Sequence, residues 1–235
     1  MIQRIYAREQ LTGLPSGVEA GKLLALFEAY GGGYDFCRFF HQSGGGEAFI
    51  AALDGSFILA GAECADFPEL AQFLSIHGFT DIFCPQEAGE QLRHYLAADF
   101  QAVNLMEYAD EKQGELPPEV SPSEAWEIIG TRFEVSFEPW YLDMSHRVRH
   151  GVSRCFSDGK AALVLQHVIN GEALLSQVCV KREYEGQGIA RRLLESVCGA
   201  LPGKVQVICE DELTGFYRKC GFVSSGKKFV ITQRL

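Results

Sequence analysis

Positive charge is scarce in this chain. Lysine and arginine together number 21 against 31 aspartates and glutamates, a formal net charge of -10 over 235 residues. A sequence-independent hold on nucleic acid needs clustered positive charge, so nucleic acid is not an expected partner. Long apolar runs are lacking as well. No segment reaches the roughly 18 consecutive apolar residues that cross a bilayer as a helix, and the opening MIQRIYAREQLTGLPSG has no apolar stretch of the secretory-signal kind. No membrane association is expected. CxxC pairs are also absent: the eight cysteines (Cys37, Cys64, Cys84, Cys155, Cys179, Cys198, Cys209, Cys220) are scattered, and most sit in apolar runs such as IFCP, SQVCV and VQVICE. There a thiol behaves as a small core side chain. Neither a disulfide framework nor a metal site is expected, and a reducing cytoplasm is the expected compartment.

What is present is the composition of an ordinary soluble globular protein, 47% apolar and 22% charged, in a chain long enough for one large or two small domains. The acidic balance suits a cationic small substrate, and it equally suits plain solubility. The stretch Tyr108 to Glu124, YADEKQGELPPEVSPSE, is polar and proline-rich and reads as a linker, which divides the chain into domains 1–112 and 113–235. It ends in Ser121-Pro122-Ser123-Glu124, a capping box that predicts a helix carrying Ala125, Trp126, Ile128 and Ile129.

A second helix is expected over FEPWYLDMSHRVRHG, stopped by Gly151. A strand meander follows: VSRCF turns at Ser157-Asp158-Gly159 into AALVLQHVI, which turns at Asn170-Gly171 into EALLSQVCV. Next comes a helix from about Gly188 with Ile189, Leu193, Leu194, Val197 and Cys198 on one stripe. The strand KVQVICE, the short helix ELTGFYRKCG and the strand KKFVITQRL complete the order. The first half runs in the same order, from CRFFHQ through EAFIAAL, Asp54-Gly55 and SFILAG to a helix over DFPELAQFLSIHG, then DIFC, EAGEQLRHYL and QAVNLMEY. Two readings stay open: a structural duplication, or two α+β domains that look alike at this coarseness.

One junction separates the halves. Where the second has Glu185-Gly186-Gln187-Gly188-Ile189-Ala190, the first has Ala-Glu-Cys-Ala-Asp-Phe, without a glycine pair. A helix start exposes unpaired amides and a partial positive charge, and glycines let an anion reach them. Arg191 and Arg192 are wrong for the helix dipole, and make more sense if negative charge arrives from outside. A plain strand-to-helix turn is the competing reading. A dinucleotide fingerprint is excluded because Arg191 stands at the third small position and the preceding strand belongs to an antiparallel meander. A P-loop is excluded because no Gly-Lys-Ser/Thr follows.

VKREYEGQGIARRLL followed by GFYRKCGF resembles the GCN5-related N-acetyltransferase (GNAT) family from about Ser121 to Leu235, and the order of helices and strands agrees. The resemblance implies an α+β fold, a mixed and mostly antiparallel sheet flanked by helices, with two tandem GNAT-like domains if the first half is a degenerate copy. It implies an acyl-CoA-dependent N-acetyltransferase that moves an acetyl group directly from acetyl-CoA, as co-substrate, to an amine of a small molecule or peptide. The alternative is a non-catalytic acyl-CoA sensor or scaffold on the same fold. Val178, Cys179 and Val180 would flank the pantetheine arm at a bulge. The backbone of Gly186, Gln187, Gly188, Ile189, Ala190 and Arg191 would hold the diphosphate. Tyr217 matches the family's general acid toward the departing thiolate, and Glu210 is the candidate base. The acceptor would meet the first two helices, where Trp140, Asp143 and His146 are the candidates. A homodimer is compatible with the family. Glu185, Arg182 and Glu210 depart from the usual pattern, and Glu185 puts an acid beside the expected diphosphate.

Overall fold

The computed structural model describes residues 1–111 and 115–234. Its elements run β1 (Ile2–Ile5), α1 (Val18–Tyr30), β2 (Cys37–Gln42), β3 (Glu47–Leu53), β4 (Ser56–Cys64), α2 (Phe67–His77), β5 (Asp81–Pro85), α3 (Gln86–Leu92), β6 (Ala98–Tyr108), α4 (Pro122–Ile129), α5 (Phe137–Arg149), β7 (Arg154–Ser157), β8 (Ala161–Ile169), β9 (Glu172–Val180), α6 (Ile189–Ala200), β10 (Lys204–Cys209), α7 (Asp211–Lys219) and β11 (Phe222–Gln233). Each is an α+β unit built on a mostly antiparallel sheet with helices against it.

The chain forms two compact units, one of Met1–Asn104 together with the chain from Gly226, the other of Leu105–Ser225. The expected cut between residues 112 and 113 lies outside the described residues. The compact units differ from any single linear cut, because β6 and β11 each contribute one part to each unit. Strand order is β1-β2-β3-β4-β5-β11-β6 in the first unit and β11-β6-β10-β9-β8-β7 in the second.

The hairpins form where the turn residues demand them. Asp54 and Asn170 take left-handed conformations with φ of 46° and 51°, ahead of Gly55 and Gly171. These dihedrals match the twist of paired strands, so β3–β4 and β8–β9 pair antiparallel. In contrast, β4 pairs with β5 and β9 with β10 in parallel, across the helices α2 and α6. The capping box at α4 closes as its residues require: Glu124 N–H donates to Ser121 Oγ at 3.2 Å and Ser121 N–H to Glu124 Oε2 at 2.8 Å.

The core of the second unit has two parts. Leu163, Leu165, Ala173, Leu175, Leu194, Val197, Val205 and Val207 pack between the sheet and α6. Ala125, Ile128, Ile129, Met144, Ala162, Val164 and Cys179 pack between the sheet and the pair α4 and α5. In the first unit Ile50, Leu59, Leu70, Leu74, Ile82, Leu92 and Ile231 form the core beneath α2 and α3.

The sequence reading passed over β1 and α1. Most of α1 is buried around its whole circumference, including Leu23, Leu24, Ala25 and Leu26 in succession, so it lacks the one-sided stripe by which a surface helix is recognised. No disulfide joins the eight cysteines. Among the described residues no helix is long and apolar enough to cross a membrane, and no group of three or more His, Cys, Asp or Glu is arranged to hold a metal ion.

Candidate active site

The parallel ladder between β9 and β10 ends early. It runs from Lys204 opposite Glu172 to Val207 opposite Leu175, after which β9 continues through Ser176–Val180 without that partner. The other edge of β9 bulges at the same place. Leu165 faces Leu175 and Leu163 faces Val178, so Ser176 and Gln177 together oppose Val164. An extra residue reverses the side on which every later side chain falls. Val178 and Val180 therefore join Ala173 and Leu175 on the α6 side, while Cys179 turns into the α4–α5 side. The pairing of β9 with β10 thus stops at the bulge, and the end of β9 feeds the turn that leads to α6.

That turn passes through a short 3-10 segment, Arg182–Tyr184, and then Gly186 and Gly188 at φ of 73° and 70°. Both values lie in the left-handed region, where any residue with a Cβ is strained. A Cβ at Gly186 would meet nothing within 4 Å, so dihedral freedom and open space, not packing, account for the glycine there. Gly188 is the N-cap of α6 and supplies no side-chain cap. Among the described residues, no protein acceptor takes a hydrogen bond from the amides of residues 186 to 191. The first bond of the helix is Arg192 N–H to the Gly188 carbonyl at 3.1 Å. Beside these amides is a cavity of about 420 Å³ lined by Val180, Tyr184, Gly186, Gly188, Ile189, Ala190, Arg191, Phe216, Lys219 and Cys220. Of the expected cofactor residues, Val180, Gly186, Gly188, Ile189, Ala190 and Arg191 line it. Gln187 does not, nor do Val178 and Cys179, which lie back along β9.

The charges around the loop are arranged in pairs. Arg191 Nε donates to Glu195 Oε1 at 2.6 Å along the helix, and Arg192 Nη1 donates to the Gln187 carbonyl at 3.0 Å. Both arginines thus have partners inside the protein, contrary to the idea that outside charge alone explains them. Glu185 is paired with Arg132, Nη2 to Oε1 at 2.6 Å, so the acid that departs from the family pattern is offset by a cation from the turn after α4. Lys219, on α7, adds an exposed cation to the cavity wall. Sequence reasoning missed Arg132 and Lys219. Nothing local marks Arg132, which reaches Glu185 only through folding.

Tyr217 is 6% exposed and packs among Phe216 and Phe222, with ring centroids 5.2 and 5.5 Å away. Its ring belongs to the α6-side core and is not part of the cavity wall. Burial, aided by the nearby thiols of Cys209, Cys220 and Cys198, holds its phenol well above the ordinary value. Burial likewise pushes the Cys209 and Cys220 thiols up to about 11. Glu210 is exposed and stands as the N-cap of α7, its carbonyl accepting from Leu213 N–H at 3.1 Å.

On the opposite side of β9, Trp140 Nε1 donates to Gln177 Oε1 at 2.9 Å, tying α5 to the bulge. Trp140 stacks on Trp126, and Trp126 on Phe137, at 5.0 and 5.3 Å. Asp143 accepts from the Nε of buried Arg147 through both oxygens, at 2.8 and 2.9 Å. Its charge is therefore already matched within the helix. His146 packs on the ring of His150 at 4.4 Å. The structure ties Trp140 to the bulge of β9, while Asp143 and His146 are occupied along α5.

Residues 151–224 match the family model described as acetyltransferase (GNAT) domain. Solved structures extend the likeness to both units. A tandem GNAT protein from the clavulanic acid biosynthesis pathway matches with a TM-score of 0.58 at 12% identity, covering 98% of this chain and 97% of that one. A GCN5-related N-acetyltransferase from Kribbella flavida gives 0.60 at 13% identity, covering 93% and 95%. A GNAT-family acetyltransferase from Colwellia psychrerythraea gives 0.55 at 15%, with full coverage of both chains. At these identities the likeness shows the fold alone, that of GNAT proteins, a tandem one among them. No curated protein sequence matches the chain. The family suggests acetyl-CoA-dependent N-acetyltransfer in general.

Proposed function

We propose that the second unit binds acetyl-CoA as a substrate and transfers its acetyl group directly to the amine of a small molecule or peptide. The observation that carries this reading is the row of amides from 186 to 191, which have no protein acceptor among the described residues and border a cavity of about 420 Å³. The fit is chemical: a diphosphate needs several convergent N–H donors and no carboxylate among them, and the acid that immediately precedes them, Glu185, is paired with Arg132. The backbone of Ser176–Val180, released from β10, is suited to the pantetheine arm.

Acetyl-CoA supplies a thioester carbonyl, and the residues of the chain supply position and proton transfer. The acceptor amine must be neutral to attack, and a lysine-like amine with a pKa near 10.4 is mostly protonated at pH 7. Glu210 is assigned the acceptance of that proton, directly or through water. As the N–C bond forms and the C–S bond breaks, the Tyr217 hydroxyl gives its proton to the thiolate, and the proton shed by the new amide nitrogen passes to water, from which the tyrosinate is reprotonated. The burial of Tyr217 keeps it protonated but also makes that transfer uphill, so this is the most exacting of the assignments. Trp140, Asp143 and His146 are assigned to the acceptor side. Of these, Trp140 is best supported, through its bond to Gln177.

A second reading, binding of acyl-CoA without turnover, is favoured by one observation: Tyr217 is outside the cavity wall. Two measurements decide. Acetyl-CoA at 100 times its dissociation constant stabilises the protein by about 2.7 kcal/mol in a thermal melt, and absence of any shift at millimolar acetyl-CoA sinks both readings. A panel of polyamines, amino acids, aminoglycosides and peptides should release free thiol. Binding without release from any amine selects the sensor.

A further inference from the structure

The ion pair between Glu185 and Arg132 joins two parts of the second unit that are 53 residues apart. Glu185 immediately precedes Gly186 and the open amides. Arg132 belongs to the turn that follows α4, its amide bonded to the Ile129 carbonyl at 3.0 Å. A guanidinium has five N–H donors in a fixed plane. Only Nη2 is engaged, by Glu185, and among the described residues no acceptor takes the others. The pair is partly shielded on the arginine side, 29% exposed against 49% for the glutamate. The guanidinium is also near β9, since its charge opposes the rise of the Cys179 thiol. A cation with spare donors is thus held against the residue that immediately precedes Gly186.

We propose that Arg132 is a diphosphate-binding residue, held in place by Glu185. The inference rests on the acetyl-CoA reading and deepens it. Glu185 is on this view a positioning residue: its carboxylate is harmless to a bound diphosphate only while Arg132 is there. That gives its removal opposite signs in two backgrounds.

The test is a binding cycle on the full chain with CoA as the probe, read by calorimetry, for the unaltered protein, Arg132→Ala, Glu185→Gln and the double variant. Arg132→Ala should weaken CoA binding by about tenfold or more, the usual size of a charge-assisted contact, and should flatten the dependence of affinity on salt. Glu185→Gln alone should weaken binding or leave it within twofold, whereas added to Arg132→Ala it should strengthen binding, because a lone carboxylate beside the diphosphate is then removed. Arg132→Gln repeats the charge deletion with a closer shape, should Arg132→Ala fold poorly. Unaltered affinity and salt slope in both arginine variants overturn the proposal while leaving the acetyl-CoA reading intact. So does strengthening by Glu185→Gln in both backgrounds. Failure of the unaltered protein to bind CoA overturns both.

Discussion

The helix after the meander begins once at Asp66 and once at Gly188, and the two beginnings treat their amides in opposite ways. At the start of α2 the N-cap Asp66 accepts from Glu69 N–H at 3.2 Å, and Pro68 has no amide to offer. Fully buried Gln42 closes the rest: its Oε1 accepts from Asp66 N–H at 3.0 Å, and its Nε2 donates to the Asp66 carbonyl and to Glu69 at 3.0 and 2.9 Å. At the start of α6 there is no acid in the first turn, no side-chain cap and no acceptor for six successive amides among the described residues. The strand before each helix differs in the same sense. The parallel ladder of β4 with β5 ends at Ile58 and Phe83, but beyond it the chain itself lies against the strand, Pro15 Cγ standing 2.9 Å from where a Cβ of Gly61 would be. One fold thus has a helix start capped by its own side chains and another left open.

The comparison breaks most sharply if the open start is made to look like the closed one. Gly188→Asp puts a carboxylate at the cap and should weaken CoA binding by at least about 100-fold, from lost charge-assisted bonds and added repulsion. Calorimetry checks it, with a ligand-free melt to verify folding. Retained affinity would mean that the amides do not hold the ligand.

Next in size is Tyr217→Phe. Thiol release should fall by about 100-fold, at the low end of general acid catalysis, while CoA affinity stays the same. Unchanged release would leave the hydroxyl with no part in the reaction.

The third prediction concerns alkali. Tyr217, Cys209 and Cys220 all have folded pKa values raised by burial, the thiols to about 11. A raised value means that the folded state holds its proton where the unfolded state loses it. The stability these groups contribute is complete below the unfolded values, near 8.5 for a thiol and 10 for a phenol, and is lost as pH rises above them. Denaturant midpoints should therefore fall between about pH 9 and 11, and Cys220→Ser should shallow that fall. A flat profile would contradict the burial of these groups.

The smallest effect tests the closed start. Asp66→Ala removes the cap of α2 and should cost about 1 kcal/mol without creating a CoA site, because Gln42 and Pro68 remain. A CoA-dependent melting shift absent in Gly188→Asp but present in Asp66→Ala/Gly188→Asp would show that one side chain alone had sealed the first unit.

Much of this contrast was legible beforehand. Asp54-Gly55 and Asn170-Gly171 announced their hairpins because few other pairs accept both left-handed positions, and Ser121 with Glu124 announced α4. The glycine pair and the missing pair at the matching junction were visible as letters. What stayed hidden depends on distant neighbours. The helix α1 gave no stripe because it is covered on most sides, Arg132 carried no mark of its partner 53 residues away, and β6 and β11 gave no sign that each serves both units.

Local conformation, then, was determined by the amino-acid order itself: turns from left-handed dihedrals, helix starts from caps, and the unsealed amides of 186 to 191 from a helix start that has Gly188 in place of a capping side chain. Only the tertiary structure decided which way β9 faces past Ser176. There one unpaired residue reverses the side of every position that follows, and whether a residue is extra depends on the strand it is laid against. The same holds for Glu185, whose charge is an obstacle in isolation and is balanced once folding carries Arg132 to its side.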